Sequence, residues 1–164
     1  MNKVFLLTGG NMGDRAANLN LATHHIENRI GKIVIKSLVY ETAAWGLTDQ
    51  ANFLNQVLEV STTLEPQQLL EVIETIEKEM GRKRIQKMGP RIIDIDILFY
   101  NNDIINQSNL TIPHPAIANR RFVLIPLVEI APALLHPLLK KTMAELEQAC
   151  PDPLAVRLLP HLPQ

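Results

Sequence analysis

The 164 residues carry a net charge of −1, with 46% hydrophobic and 20% charged side chains. That balance suits one folded domain spanning residues 1–164 and argues against wholesale disorder. So small a net charge gives no overall field to recruit nucleic acid or an anionic membrane. The single cysteine, Cys150, permits no internal disulfide and no CxxC metal pattern.

Taken in order, residues 3–8 are an apolar run ended by Gly9-Gly10 and read as a buried strand. The apolar part, residues 4–7, is too short for a signal-peptide core or a membrane span, so a reduced, cytoplasmic setting is the expectation. Asp14 is placed to cap a helix from Arg15 to about Ile30, with Leu19, Thr23, Ile26 and Ile30 at helical spacing and Gly31 as its stop. Residues 32–41 are β-branched and predict a strand; residues 42–52 predict a loop, and residues 53–63 another strand. Pro66 opens a helix to Met80 with Leu69, Ile73, Ile76 and Met80 on one stripe, and Gly81 ends it. A basic loop, residues 82–91, leads into residues 92–100, which alternate and predict a central strand. Residues 101–103 predict a hairpin turn, and helical stretches are expected at residues 122–130 and 142–149 of a Pro-rich tail. The order β-α-β-β-α-β with a C-terminal helical extension is an α/β (α+β) ferredoxin-like sandwich, with two helices on one face of a mostly antiparallel sheet.

The strongest chemical signal is Asp94-Ile95-Asp96. Alternate side chains of a strand share a face, so both carboxylates point one way, about 6.5–7 Å apart at Cα, while Ile93, Ile95 and Ile97 point into the other layer. Such a pair can converge on a hard divalent cation. The plainer alternative is a polar outer face. Against it, Asp is depleted in strands and like charges repel unless a cation lies between them. Arg82, Lys83, Arg84, Lys87 and Arg91 precede the pair. A solvated basic loop is one reading; a clamp for polyphosphate oxygens beside a metal is the other. No GxxxxGK[ST] and no GxGxxG is present, so a nucleotide would have to be held by side chains.

A second group combines Trp45 and Phe53 with Asn55 in a chain that is only 4% aromatic. Aromatics with one placed amide describe a slot for a flat heterocycle, although both rings equally suit the core. Phe122 is a candidate for the opposite wall. His114, held between Pro113 and Pro115, with Arg120 and Arg121 shortly after, forms a second possible phosphate clamp.

Together with Gly9 and Asn11, the order and spacing of Tyr40-Glu41-Thr42, Gly46, Asp49-Gln50, Phe53-Leu54-Asn55, Gly81-Arg82, residues 89–96, Pro113-His114, Asn119-Arg120 and Phe122 resemble the 6-hydroxymethyl-7,8-dihydropterin pyrophosphokinase family. The resemblance implies diphosphate transfer from ATP to the pterin hydroxymethyl group, releasing AMP, in folate biosynthesis. It implies two Mg²⁺ ions on Asp94 and Asp96, with Arg82 and Arg91 on the transferred group. Glu77, Arg84, Lys87, His114 and Arg120 would hold ATP. Thr42, Ala43 and Trp45 would contact the pterin largely through backbone, Asn55 would read its amide edge, and Phe53 and Phe122 would sandwich its ring. Partners would be small molecules, and the protein a monomer or weak dimer. Ala43-Ala44 stands where this family often has prolines, and Lys87-Met88 where some members have Arg-Trp. The competing readings are another DxD enzyme, such as a nucleotidyl- or glycosyltransferase, and a non-catalytic binding module on the same fold.

Overall fold

The structure is a computed structural model, and it describes residues 1–44, 49–81 and 89–159. Its main sheet has six strands. β1 (Asn2–Gly10) lies between β4 (Phe53–Thr62) and β5 (Asp94–Tyr100). The far edge of β4 carries both β2 (Gly31–Lys36) and β3 (Tyr40–Thr42), and β8 (Val156–Leu158) adds to β3. Every one of these pairings is antiparallel. This is the expected ferredoxin-like order.

Helices α1 (Arg15–Arg29) and α2 (Pro66–Glu79) cover one face. Their stripes, Leu19, Ala22 and Ile26 on α1 and Leu69, Ile73 and Ile76 on α2, bury against Val4, Leu6, Leu58, Val60, Ile95 and Ile97. Local signals set the helix starts. Asp14 accepts from the Ala17 amide at 3.1 Å, and Glu65 and Gln68 form a reciprocal capping box on either side of Pro66. The opposite face is covered by α3 (Arg121–Ile130) and α4 (Met143–Gln148). Val123, Leu124, Leu127, Met143 and Leu146 there meet Phe5, Leu7, Val57, Leu98 and Phe99. The extension therefore makes a third layer, and residues 5, 6 and 7 alternate between two cores as a strand requires.

Three expectations need correction. The strand expected over residues 32–41 is two strands, because Ser37 diverts the ladder. Its Oγ accepts from the Val57 amide at 3.0 Å and donates to the Leu38 carbonyl at 2.7 Å, while the Leu38 amide donates to Glu129. The turn at residues 101–103 exists, with the Asp103 amide donating to the Tyr100 carbonyl at 3.0 Å. It does not fold the chain back on β5, however: β6 (Ile105–Gln107) pairs with β7 (Leu110–Ile112) in a separate two-stranded sheet. Finally, residues 92–100 supply not a central strand but the edge strand β5, paired among the described residues only with β1, and their alternation breaks at a bulge. Leu6 pairs with Ile97 but Phe5 with Phe99, so Leu98 and Phe99 both face the α3–α4 side.

Candidate active site

Directly opposed residues of antiparallel strands share a face, so sheet register alone locates the site. Gly9 stands opposite Asn55 on one side and Asp94 on the other. In the neighbouring rows Leu7 stands opposite Asp96, and Thr42 opposite Phe53. Leu7 belongs to the α3–α4 core, which assigns this whole set to that face of the sheet. The segment that enters α3 then brings Arg120 and Phe122 over the same rows, and the result is a cleft of about 530 Å³, part of it open to solvent.

Thr42, Ala43, Phe53, Asn55, Arg91, Asp94, Asp96, Arg120 and Phe122, all expected site residues, line that one cleft, with Leu7 and Gly9 as its floor. Asp94 and Asp96 do share a face, and Ile93, Ile95 and Ile97 are buried in the other core. Asn55 is 4% exposed; its Nδ2 donates to Thr42 Oγ1 at 3.2 Å. An amide has two donor hydrogens and an acceptor oxygen, so this bond uses part of its capacity and fixes its plane. Arg91 holds its guanidinium 4.8 Å from the centre of the Phe53 ring, with Nε 3.9 Å from Asp94 Oδ2. Arg120 lies 5.9 Å from the centre of the Phe122 ring. Phe53 and Phe122 are thus each paired with a cation that also faces the acids.

The electrostatics follow from crowding. Burial, then the charges of Asp94 and Glu77, push the Asp96 carboxyl up to about 8, while Arg120 and Arg91 pull it the other way. Burial lowers the pKa of Arg120, and the negative charge of Asp96 opposes that shift. Two hard oxygen donors held together at this cost suit a hard divalent cation that completes its shell from water or substrate phosphates. Among the described residues no set of three or more His, Cys, Asp or Glu side chains gathers around a point.

Three expected residues lie off the cleft wall. Arg121, expected beside Arg120 in a phosphate clamp, instead turns its guanidinium to Glu147 Oε1 and the Cys150 carbonyl, each at 2.9 Å. Glu77, 9% exposed on α2, turns its Oε2 to the Ile95 amide at 2.8 Å, so it braces β5 between the two aspartates. His114 is anchored by its amide to the Leu98 carbonyl at 3.0 Å, and its Nδ1 accepts from the Ala116 amide at 3.1 Å. Burial and then Arg120 lower its pKa, which makes it a neutral imidazole with Nε2–H as donor. Trp45, Arg82, Arg84 and Lys87 lie outside the described residues. The floor residue Leu7 was read from sequence only as part of a buried strand. Counting outward in twos from Gly9 is the signal that finds it.

The sequence matches the family described as 7,8-dihydro-6-hydroxymethylpterin-pyrophosphokinase (HPPK) over residues 5–132. It is 46% identical over 147 residues to a 2-amino-4-hydroxy-6-hydroxymethyldihydropteridine pyrophosphokinase of Aquifex aeolicus, covering 88% of this chain and 90% of that one. It is 44% identical to the protein of the same name from Methylorubrum extorquens, over 82% and 85% of the two chains. Among solved structures it resembles a Plasmodium falciparum HPPK-DHPS crystal structure with a TM-score of 0.72 at 21% identity. That match covers 91% of this chain but 43% of the Plasmodium chain, so the chain spans less than half of that protein.

Proposed function

The chain belongs to the 7,8-dihydro-6-hydroxymethylpterin-pyrophosphokinase family, and from that premise we propose which residues carry the reaction and which metal they use. The reaction is pyrophosphoryl transfer from ATP to hydroxymethyldihydropterin, a step of folate biosynthesis. Such transfer asks a protein mainly for positioning and charge stabilisation, with little covalent work. The observation that carries the assignment is the row Asn55–Gly9–Asp94, which sets a ring-reading amide and a metal-type carboxylate on either side of one glycine.

Asn55 pairs with the amide edge of the pterin, and Thr42 holds Asn55 in plane. Phe53 and Phe122 stack on the ring, with the backbone of Thr42, Ala43 and Trp45 along its rim. Arg91 faces the transferred group together with Arg82. ATP lies against Arg120, Arg84, Lys87 and the Nε2–H of His114, with Glu77 at the same end of the site. Asp94 and Asp96 would hold two Mg²⁺ ions, whose positive charge would lower the pKa of the pterin hydroxyl and offset charge on the leaving phosphate. The net charge of −1 supports small-molecule partners over nucleic acid or an anionic membrane; a monomer or weak dimer in the cytoplasm is part of the same proposal. Among the described residues no helix is long and apolar enough to cross a membrane.

The test is to mix protein, ATP, Mg²⁺ and hydroxymethyldihydropterin and identify the nucleotide product. AMP with a pterin diphosphate is expected, and folded Asp96→Ala protein should lose that turnover by orders of magnitude. Production of ADP, or near-wild-type turnover when Asp94 and Asp96 are both Ala, overturns the assignment.

A further inference from the structure

Asn11 follows Gly9 and Gly10 at the end of β1, is 5% exposed, and is not among the residues that line the cleft. Its polar groups reach two separate segments. The Asn11 amide donates to the Arg91 carbonyl at 3.0 Å, and the Arg91 amide donates back to Asn11 Oδ1 at 2.9 Å. The side-chain Nδ2 donates to Gln50 Oε1 and to the Ala51 carbonyl, each at 2.9 Å. The orientation of the amide is not arbitrary. Oδ1 meets an N–H that can only donate, and Nδ2 meets a backbone carbonyl that can only accept. The approach is close as well: a Cβ at Gly10 would collide with the Ile92 carbonyl oxygen.

The two segments are the two sides of the site. Arg91 carries the guanidinium that reaches Phe53 and Asp94. Ala51 lies two residues before Phe53 and four before Asn55. Beyond Asp94 the β1–β5 ladder has ended, and the Asn11 side chain supplies the acceptor that a next strand residue would have offered to the Arg91 amide. We propose that Asn11 is a positioning residue that ties the Arg91 side of the site to the Phe53–Asn55 side, so that the guanidinium and the pterin wall keep one fixed separation. This rests on the assignment of Arg91 to the transferred group. Only an amide does both tasks at this point. Aspartate keeps the acceptor for Arg91 but sets an oxygen against the Ala51 carbonyl, and alanine loses both arms.

The experiment is a double-mutant cycle on kcat/KM with wild type, Asn11→Ala, Arg91→Ala and the double variant, measured well below each melting temperature. If Asn11 acts through Arg91, Asn11→Ala costs about tenfold or more alone and much less once Arg91 is already Ala, because residues that act as a unit are not additive. Asn11→Asp should raise KM for the pterin while keeping more kcat than Asn11→Ala; if Asn11→Ala fails to fold, Asn11→Leu, which lacks both arms but fills the space, takes its place in the cycle. Additive losses, or a lower melting temperature with unchanged kcat and KM, overturn the proposal and leave Asn11 a purely structural residue. Undiminished turnover in Arg91→Ala itself would instead strike the assignment of Arg91.

Discussion

Gly9 occupies the middle of the row that joins Asn55 to Asp94, and the lack of a Cβ there leaves room for the Asn55 amide over the sheet. A Cβ at that point would sit 2.5 Å from Asn55 Oδ1 and 3.2 Å from the Leu54 carbonyl. The amide is the softer neighbour, so it would yield first and tilt away from the bond it makes with Thr42. Gly9→Ala is therefore expected to fold, to bind ATP nearly as before, and to lose pterin affinity. The loss should match a misplaced buried hydrogen bond, about 1–3 kcal/mol, or roughly fivefold to a hundredfold in Kd. Isothermal titration of each substrate checks this. Equal weakening of both would mean that the change spreads past Asn55 to the acid pair. On the other side of Gly9, Asp94 and Asp96 were legible from sequence because period-two alternation needs only the strand to be recognised. The bracing of the strand by Glu77 was not, since a contact between a helix carboxylate and the Ile95 amide has no signature in spacing.

At the scale of elements, sequence pattern ran β2 and β3 together as one strand but found both capped helices on the α1–α2 face and the positions of β1, β4 and β5. Their apolar stripes and stop residues are local features. It failed where a side chain competes with the ladder or where pairing depends on distant chain. Ser37 splits one strand in two by taking the Val57 amide. Replacing Ser37 with Ala leaves that fully buried amide without its acceptor and should cost about 1–3 kcal/mol in urea unfolding. Turnover should not change, because Ser37 does not line the cleft. A lower kcat would show that the β2–β3 break communicates with the pterin wall. Strand β8 escaped detection for the second reason: its three residues are held by β3 and by Arg157, whose guanidinium meets Glu41 at 2.5 Å while Arg15 holds the other carboxylate oxygen at 2.7 Å. The guanidinium of Arg15 also donates to the Asn52 carbonyl at 3.0 Å, so one buried-edge carboxylate joins α1, β3, β8 and the entrance of β4.

For the molecule as a whole, the crowded acid pair couples function to stability. Asp96 has a folded pKa of about 8 against its ordinary 3.8, so the native state holds a proton that the unfolded chain has released. Stability from that proton is complete below the unfolded value and is lost as pH climbs toward 8. The other shifted groups act elsewhere. Burial lowers the pKa of His136, whose Nδ1 accepts from the Leu138 and Leu139 amides, and that of His114 is lowered too. Their contribution is present above about 6.5 and disappears as pH falls below it. Glu41, lowered first by its hydrogen bond to Arg15, adds stability that fades only in acid. Tyr40 and Tyr100 are raised and act in strong base. Between pH 6.5 and 8 the Asp96 proton therefore dominates, and metal-free protein should lose stability with rising pH at a slope of up to about 1.4 kcal/mol per unit, the limit for one proton. Denaturant melts across that window with a chelator present measure it, and Asp96→Asn, which keeps the shape without the titration, should flatten the slope. A flat wild-type profile would mean that Asp96 is already ionised in the metal-free fold, with Arg91 and Arg120 outweighing burial and its acidic neighbours.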